Sequence, residues 1–146
     1  MPLSVDVVTA ERVIYSEEGV DEVIVPGVEG ELGVLSRHAP LLTMIESGVM
    51  RIKKGGEETD VAITGGFLEV RDNRVTILAD AAERAEDIDA MKAEEARRQA
   101  ERALEEREEE VDRAALEAAL AHALAQLKVV ERLRRRRGAR SGPPGP

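Results

Sequence analysis

The sequence changes character between residues 81 and 89, and this change constrains the fold more than any other feature. Before it, short runs of Val and Ile with frequent Gly and Pro are typical of β-strands and turns. After it, residues 90–137 contain neither Gly nor Pro and are rich in Ala, Glu, Arg and Leu, which is typical of helix. A switch from a period of about 2 to about 3.6 residues marks a boundary between two architectures. We therefore predict a β domain over 1–84, a helical domain over 85–133 and a disordered arginine-rich tail over 134–146.

The first half predicts a β-sandwich of short antiparallel strands. The pairs Gly55-Gly56 and Asp72-Asn73 suit tight hairpins, in which both central residues adopt positive φ. Many short strands separated by such turns are typical of an all-β sandwich or barrel. The predicted strands span residues 3–9, 12–16, 22–26, 30–35, 49–54, 60–64, 67–71 and 75–79.

The second half predicts an antiparallel αα-hairpin. Asp89 suits the N-cap of a first helix, and Asp112 suits the N-cap of a second. Neither Gly nor Pro forces a turn between them, so one long helix is the alternative. Two stripes at helical spacing, one of small and one of large residues, can pack against each other: Ala93, Ala96, Ala100 and Ala103, then Leu116, Leu120, Leu124 and Leu127.

Composition and charge exclude several classes of function. The net charge is −9, and an acidic body argues against nucleic acid as a partner, because phosphates require a basic face. The sequence has no cysteine, which excludes disulfides, thiol catalysis and cysteine zinc sites. It begins without a signal peptide, and no window approaches about 18 apolar residues. We therefore expect a soluble cytoplasmic chain that meets a membrane only indirectly, through a partner.

No pattern of residues predicts an active site. The two histidines, His38 and His122, have no second His or Cys at metal-ligand spacing, so no metal site is expected. The glycine-rich segment 27–33 lacks the Gly-Lys-Ser/Thr end of a phosphate-binding loop. No nucleophile lies in a Gly-x-Ser-x-Gly elbow. The chain is therefore expected to be a non-catalytic protein with no catalytic residues.

Three segments, in order, resemble the epsilon subunits of F-type ATP synthases. Residues 30–41 read Gly-Glu-Leu-Gly-Val-Leu-Ser-Arg-His-Ala-Pro-Leu, which resembles the family signature Gly-Glu-Leu-Gly-Ile-Leu-Pro-Gly-His-x-Pro-Leu. Residues 65–70, followed by 75–79, resemble a second signature, and residues 82–89 match the family's junction with its helices. Ser36-Arg37 departs from the usual Pro-Gly, which changes one loop.

This resemblance implies a rotor subunit of the central stalk, beside the gamma subunit and on the ring of c subunits. Such a subunit couples proton flow to ATP synthesis, and its mobile helices can rise toward the catalytic alpha/beta head and restrain ATP hydrolysis. It would be peripheral, at the cytoplasmic face of a bacterial cell membrane. The matching positions imply that Glu31 contacts the c ring and His38 contacts gamma. Without the resemblance, Glu31 is simply a surface charge and His38 a loop hydrogen-bonding residue.

The resemblance also implies a regulatory ATP site, although no cofactor is required. Some relatives bind ATP through Ile/Leu-Asp-x-x-Arg-Ala, and here residues 88–93 read Ile-Asp-Ala-Met-Lys-Ala. Lysine keeps the positive charge but loses the planar fork of arginine. The candidate ATP-binding residues are Glu83, Ile88, Asp89, Lys92 and Ala93.

One alternative comes from a different class of protein. The chain could be a free-standing β-sandwich binding module whose helices dimerise it. Only a rotor subunit would co-purify with gamma in equal amounts.

Overall fold

A computed structural model describes residues 2–106 and 113–140, without the side chains of residues 139 and 140. It has eight strands followed by a 3₁₀ turn at Ala85–Asp87 and two helices. The strands are β1 (Leu3–Val8), β2 (Val13–Val20), β3 (Glu22–Gly27), β4 (Gly30–Leu35), β5 (Leu41–Ile45), β6 (Gly48–Lys54), β7 (Glu57–Arg71) and β8 (Arg74–Arg84). The helices are α1 (Ala90–Glu106) and α2 (Arg113–Arg140).

The strands form one sheet that folds over itself into a sandwich, which confirms the predicted fold class. The strand order is β2-β1-β8-β7-β5-β3-β4, and β6 pairs with both β3 and β7. Among the described strands the pairs are antiparallel, as predicted, except that β1 and β8 run parallel. The core between the two layers is built from aliphatic side chains, the largest being Leu3, Met50, Ile52, Ile63, Leu68 and Ile77.

Strand β7 belongs to both layers of the sandwich. Its first half pairs with β6 and its second half with β5, whereas the sequence predicted two separate strands. The halves meet at Gly65 and Gly66, which have positive φ. A Cβ on Gly66 would lie 2.2 Å from the carbonyl oxygen of Leu78, so only glycine fits there. Glycine thus lets the strand continue across the bend.

Strand β5 was not predicted, and β8 runs further than predicted. Leu42 and Met44 of β5 are exposed while Ile45 is buried, so apolar residues occupy both faces and no alternation marks the strand. Strand β8 continues through Arg84 because Ala81, Ala82 and their neighbours still pair with β7. Alanine and charged residues have low strand propensity, so the sequence does not predict this part of β8.

Helices α1 and α2 pack against each other, which confirms the hairpin over one long helix. The buried residues of α2 are Ala123, Ala125 and Val129, whereas Leu124 of the predicted leucine stripe is 46% exposed. Asp112, the predicted cap, lies outside the described residues.

The predicted tail starts at residue 134, but α2 continues through Arg140. Arginine is a good helix former, and positive charge is favourable at a helix C-terminus. Among the described residues, no helix is long and apolar enough to cross a membrane.

Candidate functional site

Helix α2 lies on the outer face of strands β6 and β7 through a small apolar cluster. Because strand residues alternate between faces, Val61 and Ile63 enter the sandwich core while Ala62 faces the helix. Ala62 packs there with Ala125 and Val129. These buried side chains are short, and each buried CH₂ contributes only about 0.8 kcal/mol, while the larger Val49, Ile88 and Leu133 at the margin are only partly buried. Apolar packing therefore places α2 on the sheet without holding it strongly.

A cluster of ion pairs adjoins this apolar contact, and we call it the β7–α2 clasp: Glu58, Asp60, Arg132 and Arg136. Arg132 Nε donates to Asp60 Oδ2 at 2.8 Å, and Arg136 Nη2 donates to the same oxygen. Arg132 Nη2 also donates to Glu58 Oε1 at 3.3 Å, while Arg136 Nη1 donates to the Glu58 carbonyl oxygen. The clasp therefore joins one strand to the last third of α2.

Burial makes the clasp different from an ordinary surface ion pair. Among the described residues, Asp60 is the one buried charged residue, and its side chain is 1% exposed. A buried carboxylate is costly unless cations and hydrogen bonds compensate for lost water. The hydrogen bond to Asp60 is the main reason that the pKa of Arg132 is raised, so this guanidinium stays charged. Asp60 is thus compensated chiefly by α2.

The ion pairs continue beyond the clasp to the edge that carries Glu31. Glu58 Oε1 lies 3.9 Å from Arg51 Nη1, and Arg51 Nη2 donates to Glu31 Oε2 at 3.3 Å. The Glu31 side chain is 66% exposed, so that last pair contributes little to stability.

A second polar contact joins α2 to the sandwich nearer the middle of the helix. Gln126 Nε2 donates to Glu83 Oε1 at 2.6 Å, and His122 Nε2 lies 3.5 Å from the same oxygen. The other ring nitrogen of His122 is hydrogen-bonded to Thr64 Oγ1. Glu83, one of the candidate ATP residues, is therefore engaged by the docked helix.

The other candidate ATP residues surround the start of α1. Asp89 Oδ1 accepts hydrogen bonds from the backbone N–H groups of Met91 and Lys92 at 3.0 and 3.2 Å, so Asp89 is the N-cap. The Lys92 side chain is exposed, Ala93 is buried, and Ile88 packs at the margin of the apolar cluster under α2. The structure therefore brings Asp89 and Lys92 together on one helical turn, whereas Glu83 contacts α2.

Glu31 and His38, the predicted interface residues, lie at opposite ends of β4. Glu31 follows the turn between β3 and β4, where it pairs with Pro26 across the ladder. His38 lies in the loop after β4, and its Nδ1 donates to the Ala39 carbonyl oxygen at 2.7 Å. In the same loop the Arg37 N–H donates to Asn73 Oδ1 at 2.7 Å, although Arg37 has a φ of 65°. The two residues therefore mark two different edges of the sandwich.

The face of the sandwich formed by β2, β1, β8, β7 and β5 carries a row of apolar side chains at its surface. The row crosses five strands through consecutive ladder pairs, and we call it the outer apolar row: Val13, Val8, Leu78, Phe67 and Met44. Val13, Leu78, Phe67 and Met44 are 48–61% exposed. Exposed apolar residues that adjoin one another are typical of a protein–protein interface.

The sequence analysis missed both the clasp and the outer apolar row. A signal for the row exists, because Val7-Val8, Phe67-Leu68 and Ile77-Leu78 are adjacent apolar pairs within strands. Such pairs indicate a strand with apolar residues on both faces. For the clasp, no local pattern brings Asp60 to Arg132, which is 72 residues away along the chain.

Comparison with known proteins extends these observations over both domains. Residues 2–85 match the family model of the ATP synthase delta/epsilon chain β-sandwich domain, and residues 86–131 match its long α-helix domain. The chain is 52% identical over 137 residues to the ATP synthase epsilon chain of Herpetosiphon aurantiacus, covering 94% of this chain and 99% of the relative. It is 48% identical to the epsilon chain of Dehalococcoides mccartyi, covering 91% and 95%.

A solved structure has the same fold at lower identity. A chain of the Euglena gracilis mitochondrial ATP synthase, from an assembly of OSCP, F1 and c-ring, superposes with a TM-score of 0.73 at 27% identity. The match covers 90% of this chain and 81% of that one. The two chains thus share a fold over most of their length, and this chain belongs to the ATP synthase delta/epsilon chain family.

Proposed function

We propose that this chain is the non-catalytic epsilon-type subunit of the central stalk of a proton-translocating F-type ATP synthase. The observation that carries the proposal is that the two sides of the sandwich present different surfaces. One side holds helix α2, and the other presents the outer apolar row. A subunit that binds its neighbours through a rigid sandwich and can also release a helix requires separate surfaces for the two contacts.

The gamma subunit is the proposed partner of the outer apolar row. Partly exposed Phe67, Leu78 and Met44 offer an apolar strip that burial in an interface would stabilise. His38, in the loop after β4 near exposed Leu35, is the second proposed contact with gamma. A rotating stalk needs such a permanent contact, because torque must pass between subunits without slippage.

The ring of c subunits is the proposed partner of the Glu31 edge. Glu31 is exposed beside Val28, which is 55% exposed in the turn between β3 and β4. A groove of about 490 Å³ runs along this turn and includes Leu32 and Leu41. A charged residue beside apolar side chains suits the polar loops of a membrane-embedded ring. The chain would therefore be peripheral, at the cytoplasmic face of a bacterial membrane.

The helices are the proposed regulatory part. Docked, α2 lies on the sandwich; extended, α1 and α2 would reach along gamma toward the alpha/beta head and restrain ATP hydrolysis. The small apolar contact under α2 supports a reversible docking. ATP is the proposed regulatory ligand at the start of α1, where Lys92 is the exposed cation beside Asp89.

Co-expression with a tagged gamma subunit from the same complex tests the docking. The chain should co-purify with gamma in equal amounts, and Phe67→Glu should weaken capture about tenfold, since it places a charge within the apolar row. Val28→Glu is the matched control, because it adds the same charge at an exposed apolar position outside the row. Failure of the unaltered chain to bind gamma, with a dimer in its place, would favour the free-standing module.

The two predicted interface residues separate the two partners. His38→Ala should weaken binding to gamma, whereas Glu31→Ala should weaken binding to the c ring and leave gamma binding unchanged. Circular dichroism checks that each variant is folded. If both variants bind both partners normally, these residues are outside the interfaces.

A further inference from the structure

The contact between α2 and the sandwich combines a weak apolar part with a strongly charged part. The buried apolar residues at this contact are mostly alanines, with only partly buried larger residues at the margin, whereas the sandwich core is made mainly of Leu, Ile, Val and Met: Ala62, Ala85, Ala125 and Val129 are buried, and Val49, Ile88 and Leu133 are partly buried. Next to this alanine-rich contact, two guanidinium groups of α2 converge on one buried carboxylate oxygen of β7. We therefore expect the ion pairs, more than the apolar packing, to determine whether α2 remains docked on the sandwich.

The environment of Asp60 changes most when α2 leaves. Asp60 points away from the sandwich core, on the same face of β7 as Ala62, so it is α2 that covers it. Without the helix, water would solvate the carboxylate and no buried charge would remain. With the helix, Arg132 and Arg136 pair with Oδ2 in place of that water, while Oδ1 is buried without a hydrogen-bond partner among the described residues. The charge of Asp60 is thus compensated in both states, and the unpaired oxygen of the docked state opposes docking, which keeps docking reversible.

The arginines are also compensated in both states. Their side chains remain 30% and 29% exposed when docked, so each guanidinium exchanges part of its hydration for the ion pairs and keeps the rest. They lie four residues apart on α2 and so face the same direction. The neighbouring Arg135 instead pairs with Glu131 of its own helix, at 2.6 Å. Only selected positions of the arginine-rich end of α2 therefore reach the sandwich.

We propose that the β7–α2 clasp is an electrostatic latch that holds the helical hairpin on the sandwich and makes its release depend on ionic strength. This inference rests on the proposed function for its biological meaning, since release of the helices is the step that would restrain hydrolysis. The latch itself is a property of the isolated chain. It can therefore be tested without any other subunit.

The test measures the distance between two spin labels on the full-length chain. The sequence has no cysteine, so Glu46→Cys on the sandwich and Leu124→Cys on α2, both exposed, give unique labelling sites. Double electron–electron resonance then reports the docked fraction. Between about 0.05 and 1 M salt the Debye length shrinks severalfold, so the docked fraction should fall.

Paired variants on α2 separate the latch from general charge. Arg132→Gln with Arg136→Gln should lower the ratio of docked to undocked chains about tenfold and remove most of the salt dependence. Arg134→Gln with Arg135→Gln removes the same charge from the same helix and should retain both the ratio and the salt response. Both pairs lie on α2, so the sandwich is left intact.

Asp60→Asn tests the strand side of the latch. It should undock the helix as the Arg132/Arg136 pair does, and combining the two changes should add little more. The proposal is overturned if docking in the Arg132/Arg136 variant matches the unaltered chain, or if the control pair undocks the helix equally. Loss of gamma binding with an intact salt response would contradict the proposed function and leave the latch standing.

Discussion

At the scale of single residues, Asp89 and Lys92 combine a structural role with a proposed binding role. Asp89 caps α1, which accounts for its carboxylate without any ligand. The Lys92 side chain, in contrast, is exposed on the same turn. A phosphate would therefore bind the ammonium group of Lys92, while Asp89 caps the first turn of the helix. Mutation of Lys92 tests ATP binding with the least disturbance to the helix.

We predict that Lys92→Arg tightens ATP binding and that Lys92→Ala abolishes it. A guanidinium can hold two phosphate oxygens, and one added charge-assisted hydrogen bond contributes about 1.5–3 kcal/mol before ordering costs. Helix content should be nearly unchanged in Lys92→Ala, since alanine is the better helix former. Isothermal titration calorimetry measures the affinity, and Arg102→Ala, at an exposed position of α1, is the control. Identical titrations for all variants would make Lys92 a solvated residue.

Also at this scale, the Glu94 carboxylate gives a prediction about pH. The hydrogen bond from Arg97 is the main reason that the pKa of Glu94 is lowered from its usual value. A lowered pKa in the folded chain means that this pair stabilises α1 above the ordinary glutamate pKa. The contribution is lost as the pH falls through the folded value. Nuclear magnetic resonance of the Glu94 carboxyl carbon should give a titration midpoint below the ordinary value of a glutamate side chain. A midpoint at or above that ordinary value contradicts the pairing.

At the scale of elements, the sandwich has what it needs to fold alone. The residues of its core cluster run from Leu3 to Ala82, so none comes from the helices. Removing α1 and α2 uncovers Ala62, half-buried Val49 and the carboxylate of Asp60, which water can solvate. The helical hairpin therefore packs on a domain whose core is complete without it.

We predict that a fragment of residues 1–84 folds into the same sandwich. Its free energy of unfolding should be lower by about 1–3 kcal/mol, because little apolar area loses its cover. Circular dichroism should show strands and a single cooperative denaturation. An unfolded fragment would mean that the two-part architecture is wrong and that α2 is integral to the core.

Which elements could be predicted from sequence depends on how their two faces differ. Strand β1 alternates between buried and half-buried residues, and its alternation was visible. Strand β5 has apolar residues on both faces, because Leu42 and Met44 point outward, so the periodic signal vanishes. The helices were recognisable from composition. Which face of each helix is buried was harder to predict, because α2 buries alanines while leaving Leu124 exposed.

The site was predictable only where residues that act together are close in sequence. Asp89 and Lys92 lie on one helical turn, as the short motif predicted, and their binding of ATP stays a prediction. The clasp joins residues more than 70 positions apart, and nothing in the local sequence around Asp60 selects Arg132 over its neighbours. Tertiary pairing of this kind is fixed by the path of β7 and by the position of α2 on the sheet.

At the scale of the whole molecule, the two faces of the sandwich make assembly and regulation separable. The outer apolar row lies on the face formed by β2, β1, β8, β7 and β5, while α2 covers the outer face of β6 and the first half of β7. Removing the helices should therefore leave the proposed gamma binding in place while abolishing the proposed restraint of hydrolysis.

We predict that a complex assembled with residues 1–84 hydrolyses ATP about fivefold faster or more than the complex with the full chain, a typical size for regulatory coupling. The helices that would restrain the catalytic head are absent, while the stalk contacts remain. A coupled enzymatic assay of ATP hydrolysis measures the rate, and subunit composition by gel is the control. Equal rates at equal composition would remove hydrolysis restraint from the function of the helices.

The parallel pairing of β1 with β8 determines when the sandwich can form during synthesis. β1 is made first, but its partners Val75 and Ile77 follow about 70 residues later. Until β8 leaves the ribosome, β1 and β2 form at most an isolated hairpin, which is marginal in water. Closing so long a loop is entropically costly before any contact forms, so the strands should complete the sandwich late and together. The helices are synthesised last, and α2 therefore meets a docking face that is already built.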